Sequence, residues 1–121
     1  MSIQLQIEEM PDYLTARFIG AGTVEEIWRQ FELIAERCKR ANKLKLLLSV
    51  VEAYGGVSLI DRYTFGDKAQ IFVYYKLIKV AVVGRPDQID QNRFGEKVMR
   101  NRWVNARVFT NLKDAEEWLL K

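Results

Sequence analysis

Residues 23–51 read TVEEIWRQFELIAERCKRANKLKLLLSVV and predict a helix followed directly by a buried strand. Within residues 24–38, apolar side chains recur at steps of three and four, which is the period of an amphipathic helix. Thr23 and Glu26 stand three residues apart at its start, the spacing of a capping box. Residues 44–51 become almost entirely apolar, as is typical of a strand covered on both faces. The helix should therefore pack on a sheet that contains this strand.

Before this unit, the chain predicts an antiparallel hairpin. Residues 2–8 (SIQLQIE) alternate apolar and polar side chains, the period of a half-buried strand. Met10, Pro11 and Asp12 favour a turn, and residues 13–20 (YLTARFIG) read as a second strand.

After residue 51, two segments predict further strands of the same sheet. Residues 77–84 (LIKVAVVG) have the apolar character of residues 44–51, and residues 105–110 (NARVFT) predict a shorter, third inner strand. The intervening segments predict helices: residues 58–75 in their first half, and residues 86–103 with Pro86 at the first helical position. A closing helix follows an Asn111 cap.

The resulting order of elements is ββαβαβαβα. Alternating strands and helices favour a largely parallel α/β sheet with helices packed on it through right-handed crossovers. The chain has 121 residues, of which 49% are hydrophobic and 29% charged, which is the composition of one globular domain over residues 1–121.

The sequence also predicts where the protein works. Its first ten residues have neither a basic start nor an apolar stretch, so we expect no signal peptide. No apolar run approaches the roughly 18 residues of a membrane span. The single cysteine, Cys38, cannot form an internal disulfide and suits a reducing compartment. These features predict a soluble, cytoplasmic protein.

The formal net charge is +3, and the excess of basic residues along the chain falls between Arg85 and Arg107. Arg93, Lys97 and Arg100 would share one face of a helix in this stretch. A solvated helix face and an anion-binding face both account for the pattern. Because no base-reading motif accompanies it, we predict no nucleic-acid partner.

Catalytic chemistry is poorly supported. The chain contains no histidine, which removes Ser-His-Asp and Cys-His pairs and the commonest metal ligand. No glycine-rich phosphate-binding motif occurs. Cys38 continues the apolar stripe of the first helix, which favours a buried thiol over a reactive one. We predict that the protein is not an enzyme and needs no metal or cofactor.

Three segments resemble the SpoIIAA-like family, whose members are relatives of STAS domains: AYGGVSLIDRY (53–63), KLIKVAVVG (76–84) and ARVFTNLKDAEEWL (106–119). The resemblance implies a SpoIIAA-like, mixed and largely parallel sheet with packed helices. It also implies a regulatory role, because the loop between the third strand and the second helix docks partners in STAS proteins and carries a phosphorylatable Ser or Thr.

By this resemblance, a candidate regulatory and interaction loop consists of Tyr54, Gly55, Gly56, Ser58 and Asp61. Ser58 occupies the position of the phosphorylatable residue, but the Asp-Ser-Ser-Gly run of the family is missing. Since Asp61 lies three residues further on, Ser58 also fits a plain helix N-cap. Both interpretations stay open on the sequence.

An aromatic segment gives a second candidate site, a small apolar pocket formed by Tyr63, Phe65 and Phe72. Core packing and a homodimer interface also account for these side chains. The sequence therefore predicts a non-catalytic STAS-like regulatory or protein-interaction module. The alternative is a carrier or sensor of a small apolar, lipid-like or anionic ligand.

Overall fold

The described residues contain five strands, which form one sheet and lie side by side in the order in which they occur along the chain. The computed structural model describes residues 3–54, 68–89 and 94–121. The strands are β1 (Gln4–Glu9), β2 (Leu14–Ala21), β3 (Lys45–Tyr54), β4 (Lys79–Val83) and β5 (Ala106–Phe109). β1 pairs antiparallel with β2, and β2 to β5 are parallel to one another. The predicted mixed, largely parallel sheet is confirmed.

Four helices are described beside the sheet. They are α1 (Val24–Arg40), α2 (Gln70–Tyr74), α3 (Phe94–Asn101) and α4 (Leu112–Leu120). A short 3-10 turn, Pro86–Gln88, follows β4. Within the described part of the chain, no helix is long and apolar enough to cross a membrane.

The larger core lies between one face of the sheet and helices α1, α2 and α3. The alternating side chains of β2, β3 and β4 that point to this face are fully buried. From α1, Phe31 reaches the ring of Phe72 in α2, with 5.1 Å between ring centroids. Cys38 is buried on the same stripe. The predicted helical phase of α1 is therefore confirmed.

Among the described elements, α4 covers the opposite face of the sheet. Leu47, Ala81 and Val83 of the sheet pack with Ala115 and Leu119 of this helix. Because α4 contacts β3, β4 and β5, the same face of β1 and β2 stays partly open to solvent.

The start of α1 is fixed by the predicted capping box. Glu26 N–H donates to the Thr23 hydroxyl (3.3 Å), and the Glu26 carboxylate accepts from the main-chain N–H groups of Thr23 and Ile3, each at 3.1 Å. These donors, that of Ile3 first, hold the Glu26 pKa below its usual value. A Cβ on Gly22 would lie 2.8 Å from Ile3 Cβ, so glycine lets the chain pass closely here.

Two predictions about elements need correction, and a third stays a prediction. β5 is an edge strand and not an inner one, because nothing follows it in the sheet order of the described residues. Pro86 begins only a 3-10 turn, and α3 starts at residue 94. In the segment 58–75, the first half lies outside the described residues, and the helix that is described, α2, lies in the second half.

Candidate functional site

The carboxyl ends of β2, β3 and β4 form the edge of the sheet on which the predicted interaction loop begins. In open α/β sheets, this is the edge at which ligands and partners usually bind. β2 and β3 end together, because Gly22 N–H donates to Tyr54 O at 3.1 Å. Tyr54 is the last residue of β3, so it lies directly on this edge.

β3 has a bulge just before this end. Arg17 of β2 pairs with Ser49 of β3, and the next pair is Ile19 with Glu52. Between these two pairs, β3 therefore carries one extra residue. A bulge disrupts the ladder locally and leaves main-chain groups that need other partners. β4 also pairs with β3 only as far as Ser49, so the carbonyl groups of Val50, Val51 and Ala53 lie beyond its end and take their partners from the segment after β4.

Arg85 and Gln88 supply these partners. Arg85 Nη1 donates to Val51 O and, at 3.2 Å, to Ala53 O. Gln88 Nε2 donates to Val50 O at 2.9 Å, and Gln88 Oε1 accepts from Arg85 N–H at 2.7 Å. With only 1% of its surface exposed, Gln88 is the one buried polar residue among those described. The two side chains bind the end of β3 to the segment after β4.

Arg85 also contacts the exposed side chains at the carboxyl ends of the strands. Its guanidinium carbon lies 5.4 Å from the centre of the Tyr54 ring, a cation–π distance. Its Nε donates to Asp87 Oδ1 at 3.1 Å, and this hydrogen bond lowers the Asp87 pKa. The Tyr54 ring is nevertheless 61% exposed. We call Tyr54, Arg85, Asp87 and Gln88 the Arg85 cluster.

The predicted site residues are placed unequally. Tyr54 lies in the Arg85 cluster, whereas the other loop residues, Gly55, Gly56, Ser58 and Asp61, lie outside the described residues, as do Tyr63 and Phe65 of the predicted pocket. Phe72 is buried in the core against Phe31. The predicted pocket therefore stays a prediction, since Phe72 alone of its three residues is described.

Sequence reasoning missed Arg85 and Gln88 as site residues. It counted Arg85 only as one charge of a basic stretch, and it treated Pro86 as the start of a long helix. Their position was a usable signal, since polar residues that directly follow an inner parallel strand lie at the ligand-binding edge. The bulge that gives them their acceptors left no comparable sign in the sequence.

A second concave region lies on the open face of the sheet, beside α4. It is a surface groove of about 490 Å³ with Leu47, Val51 and Val83 among its lining residues. At its end, Tyr13 hydroxyl donates to Glu116 Oε2 at 2.7 Å. Burial of the phenol, and then this hydrogen bond, raise the Tyr13 pKa to about 12.

Groups suited to bond-making chemistry are sparse in the described chain. Burial raises the pKa of the Cys38 thiol to about 12, so this thiol is inert at neutral pH, as predicted. Within residues 3–54, 68–89 and 94–121, no three His, Cys, Asp or Glu side chains gather to hold a metal ion. The Arg85 cluster presents an aromatic ring, a guanidinium and a carboxylate to solvent, a set suited to recognition.

No known protein-family profile and no curated protein matches the chain. Solved structures are similar to it, among them the following two. One is an anti-sigma factor antagonist from Mycobacterium paratuberculosis, with a TM-score of 0.65 and 13% identity over 99% of this chain and 96% of the other. The second is an uncharacterised protein with a SpoIIAA-like fold from Shewanella loihica PV-4, with a TM-score of 0.57 and 20% identity over 98% of this chain and 94% of the other.

Both similarities extend over nearly the whole chain, and they agree with the sheet order and helix placement described above. At these levels of identity they show the fold and not the activity. The chain has the SpoIIAA-like fold that the sequence resemblance implied.

Proposed function

We propose that this protein is a non-catalytic regulatory module that binds a protein partner through the Arg85 cluster and the adjoining loop of residues 55–63. The observation that carries the proposal is the Tyr54 side chain. It is exposed at the carboxyl end of an inner strand, yet its ring is held over a fixed guanidinium.

The geometry of Arg85 supports a binding role. Its guanidinium is fixed by Val51 O, Ala53 O and Asp87, so it loses little conformational freedom when a partner covers it. Tyrosine and arginine are the side chains most enriched among residues that dominate interface affinity. A partner that covered Tyr54 would meet both groups in a single orientation.

The structural similarity supports the same proposal. The neighbour from Mycobacterium paratuberculosis is an anti-sigma factor antagonist, a protein that acts on another protein. The lack of any histidine in this chain agrees with a role in binding.

Affinity capture from an extract of the source cells tests the proposal. We expect a specific partner with the wild-type protein and its loss with Tyr54→Arg or Gly56→Arg, each of which puts a bulky charge on the proposed surface. Leu33→Arg is the matched control, because Leu33 is a partly exposed apolar residue of α1 away from this edge. An unchanged set of partners with folded Tyr54→Arg protein would contradict the proposal.

Two substitutions at Ser58 distinguish its two interpretations. Ser58→Asp keeps a good helix cap but adds a charge, whereas Ser58→Ala removes the cap and adds none. A phosphorylation site predicts altered partner capture with Ser58→Asp. A plain cap predicts unchanged capture with Ser58→Asp and a stability loss of about 1 kcal/mol with Ser58→Ala.

Native mass spectrometry of gently purified protein tests the alternative, a carrier of a small apolar or anionic ligand. The proposed interaction module predicts the mass of the chain alone or of its oligomers. A reproducible adduct of small-molecule mass, displaced by a lipid or an anionic ligand, would favour the carrier instead.

A further inference from the structure

The opposite end of the sheet, where β3, β4 and β5 begin, is assembled from three separate segments: residues 39–45, 76–79 and 101–105. We call these segments the N-terminal rim. Main-chain and side-chain hydrogen bonds join them directly. Ile78 N–H donates to Leu44 O at 2.8 Å, and Asn105 Nδ2 donates to Ile78 O at 2.9 Å.

Each segment of the rim exposes a large apolar side chain. Leu44 and Ile78 are half-exposed on neighbouring strand starts, and Trp103 is 87% exposed, the highest value among the large apolar residues that the structure describes. Trp103 stands at a left-handed turn with φ of 68°, which is an unfavourable conformation for a bulky residue. Tyr74, next to the rim, is also largely exposed. Exposed apolar residues that adjoin one another in this way mark an interaction surface.

The rim is also strongly basic. It contains seven of the 19 basic residues of the chain and none of its 16 acidic ones, so the other 105 residues carry 12 basic and 16 acidic side chains. The three segments thus bring a local excess of positive charge to this end of the sheet, next to the β1–β2 turn with Glu9 and Asp12. A positive end of this kind attracts a negatively charged partner.

Beside the exposed apolar residues, the rim has room for a small anionic group. A surface cleft of about 500 Å³ is lined by Lys39, Lys43 and Lys76 together with Tyr74 and Leu44. Lys43 also donates to Pro11 O at 2.8 Å, which joins the rim to the β1–β2 turn.

We propose that the N-terminal rim binds the surface of an anionic phospholipid bilayer. Trp103, Leu44 and Ile78 enter the interfacial layer, and the surrounding lysines contact the phosphate and carboxylate groups of the lipid heads. Insertion of a few apolar tips, combined with a polybasic surface, is the two-part binding that holds a peripheral protein on a membrane.

The arrangement of the apolar side chains favours a membrane over other anionic partners. They project from three neighbouring connections and form no groove, whereas a docked protein helix needs a continuous apolar groove. Half-exposed leucine and isoleucine have no counterpart on a nucleic-acid backbone, which is recognised by charge and by aromatic stacking.

Co-sedimentation of the full chain with lipid vesicles tests the proposal. We expect binding to phosphatidylcholine vesicles that contain phosphatidylserine, little binding to phosphatidylcholine alone, and a strong decrease when the ionic strength rises well above about 0.1 M. The tryptophan emission of the wild type should shift to shorter wavelength on binding, since the Trp103 indole leaves water, and this shift should be absent in Trp103→Asn.

Two variants and a control separate the contributions. Vesicle binding should weaken about 100-fold in the triple variant that combines Lys39→Gln, Lys43→Gln and Lys76→Gln. Trp103→Asn should weaken it about tenfold, and asparagine tolerates the left-handed conformation, so this variant should stay folded. The control is a triple variant that removes the same charge from exposed positions off the rim: Lys68→Gln, Lys97→Gln and Lys113→Gln. It should bind vesicles as the wild type does.

Three results would overturn the proposal. The first is an absence of binding to vesicles of either composition. The second is an equal loss of vesicle binding in the control triple variant. The third is rim-dependent binding of polyglutamate or of a labelled oligonucleotide without vesicle binding, which would assign the rim to a protein or a nucleic acid.

Discussion

Replacing Gln88 by methionine should destabilise the protein by about 2 to 4 kcal/mol, although the two side chains have similar volumes. The substitution removes the donor to Val50 O and the acceptor for Arg85 N–H. Gln88 is 1% exposed, so water cannot readily replace either hydrogen bond. Each buried group left without a partner costs about 1 to 3 kcal/mol, and methionine regains part of this through its apolar surface. Ala53 O keeps its bond from Arg85 and adds little.

Denaturant unfolding followed by circular dichroism measures this change, with Gln6→Met as the control. Gln6 is exposed on the edge strand β1, so its substitution should alter the free energy of unfolding by no more than about 0.5 kcal/mol. An equally small effect of Gln88→Met would refute the reasoning, because it would mean that the carbonyl groups at the bulge reach other donors without Gln88. Gln88→Glu offers a second test, since it keeps the acceptor and loses the donor.

Three further predictions concern the core and the open face of the sheet. Phe31→Ala should lower the free energy of unfolding by about 3 to 5 kcal/mol, because Phe31 is buried. Glu32 is exposed, so Glu32→Ala should lower it by no more than about 0.5 kcal/mol. Equal effects of the two substitutions in denaturant titrations would contradict the helical phase of α1. The pKa of Tyr13 is about 12 in the folded protein and about 10 in the unfolded chain. As the pH rises between these two values, the stability of the wild type should therefore fall relative to that of Tyr13→Phe. Unfolding experiments at each pH measure this difference. Cys38 should resist a thiol reagent until the protein unfolds; rapid labelling of native protein would disprove its burial.

The sequence predicted most of the elements correctly, because their signals are local. The stripe of α1 and its capping box need only the spacing of residues within one helix, and both are confirmed. The apolar runs that became β3 and β4 were recognised for the same reason. Residues 105–110 illustrate the limit of such signals: the strand was found, but its place at the edge depends on what lies beside it.

The candidate site was only partly predictable. Tyr54 was identified from the resemblance, and the structure places it on the carboxyl edge of the sheet. Arg85 and Gln88 were missed, because their acceptors are main-chain carbonyl groups some 35 residues earlier in the chain. A pattern of side chains cannot show that a bulge and the end of β4 leave those carbonyl groups without partners in the sheet.

The distribution of charge shows most clearly which properties the sequence determines and which the fold decides. Counted along the chain, the basic excess falls between Arg85 and Arg107, whereas the fold also gathers seven basic residues from three separate segments in the N-terminal rim. The sequence by itself determined the periodicities, the caps and the lack of histidine, which are properties of short segments or of composition. The tertiary structure decided which distant segments meet, because parallel strands bring the connections before β3, β4 and β5 to one end of the sheet.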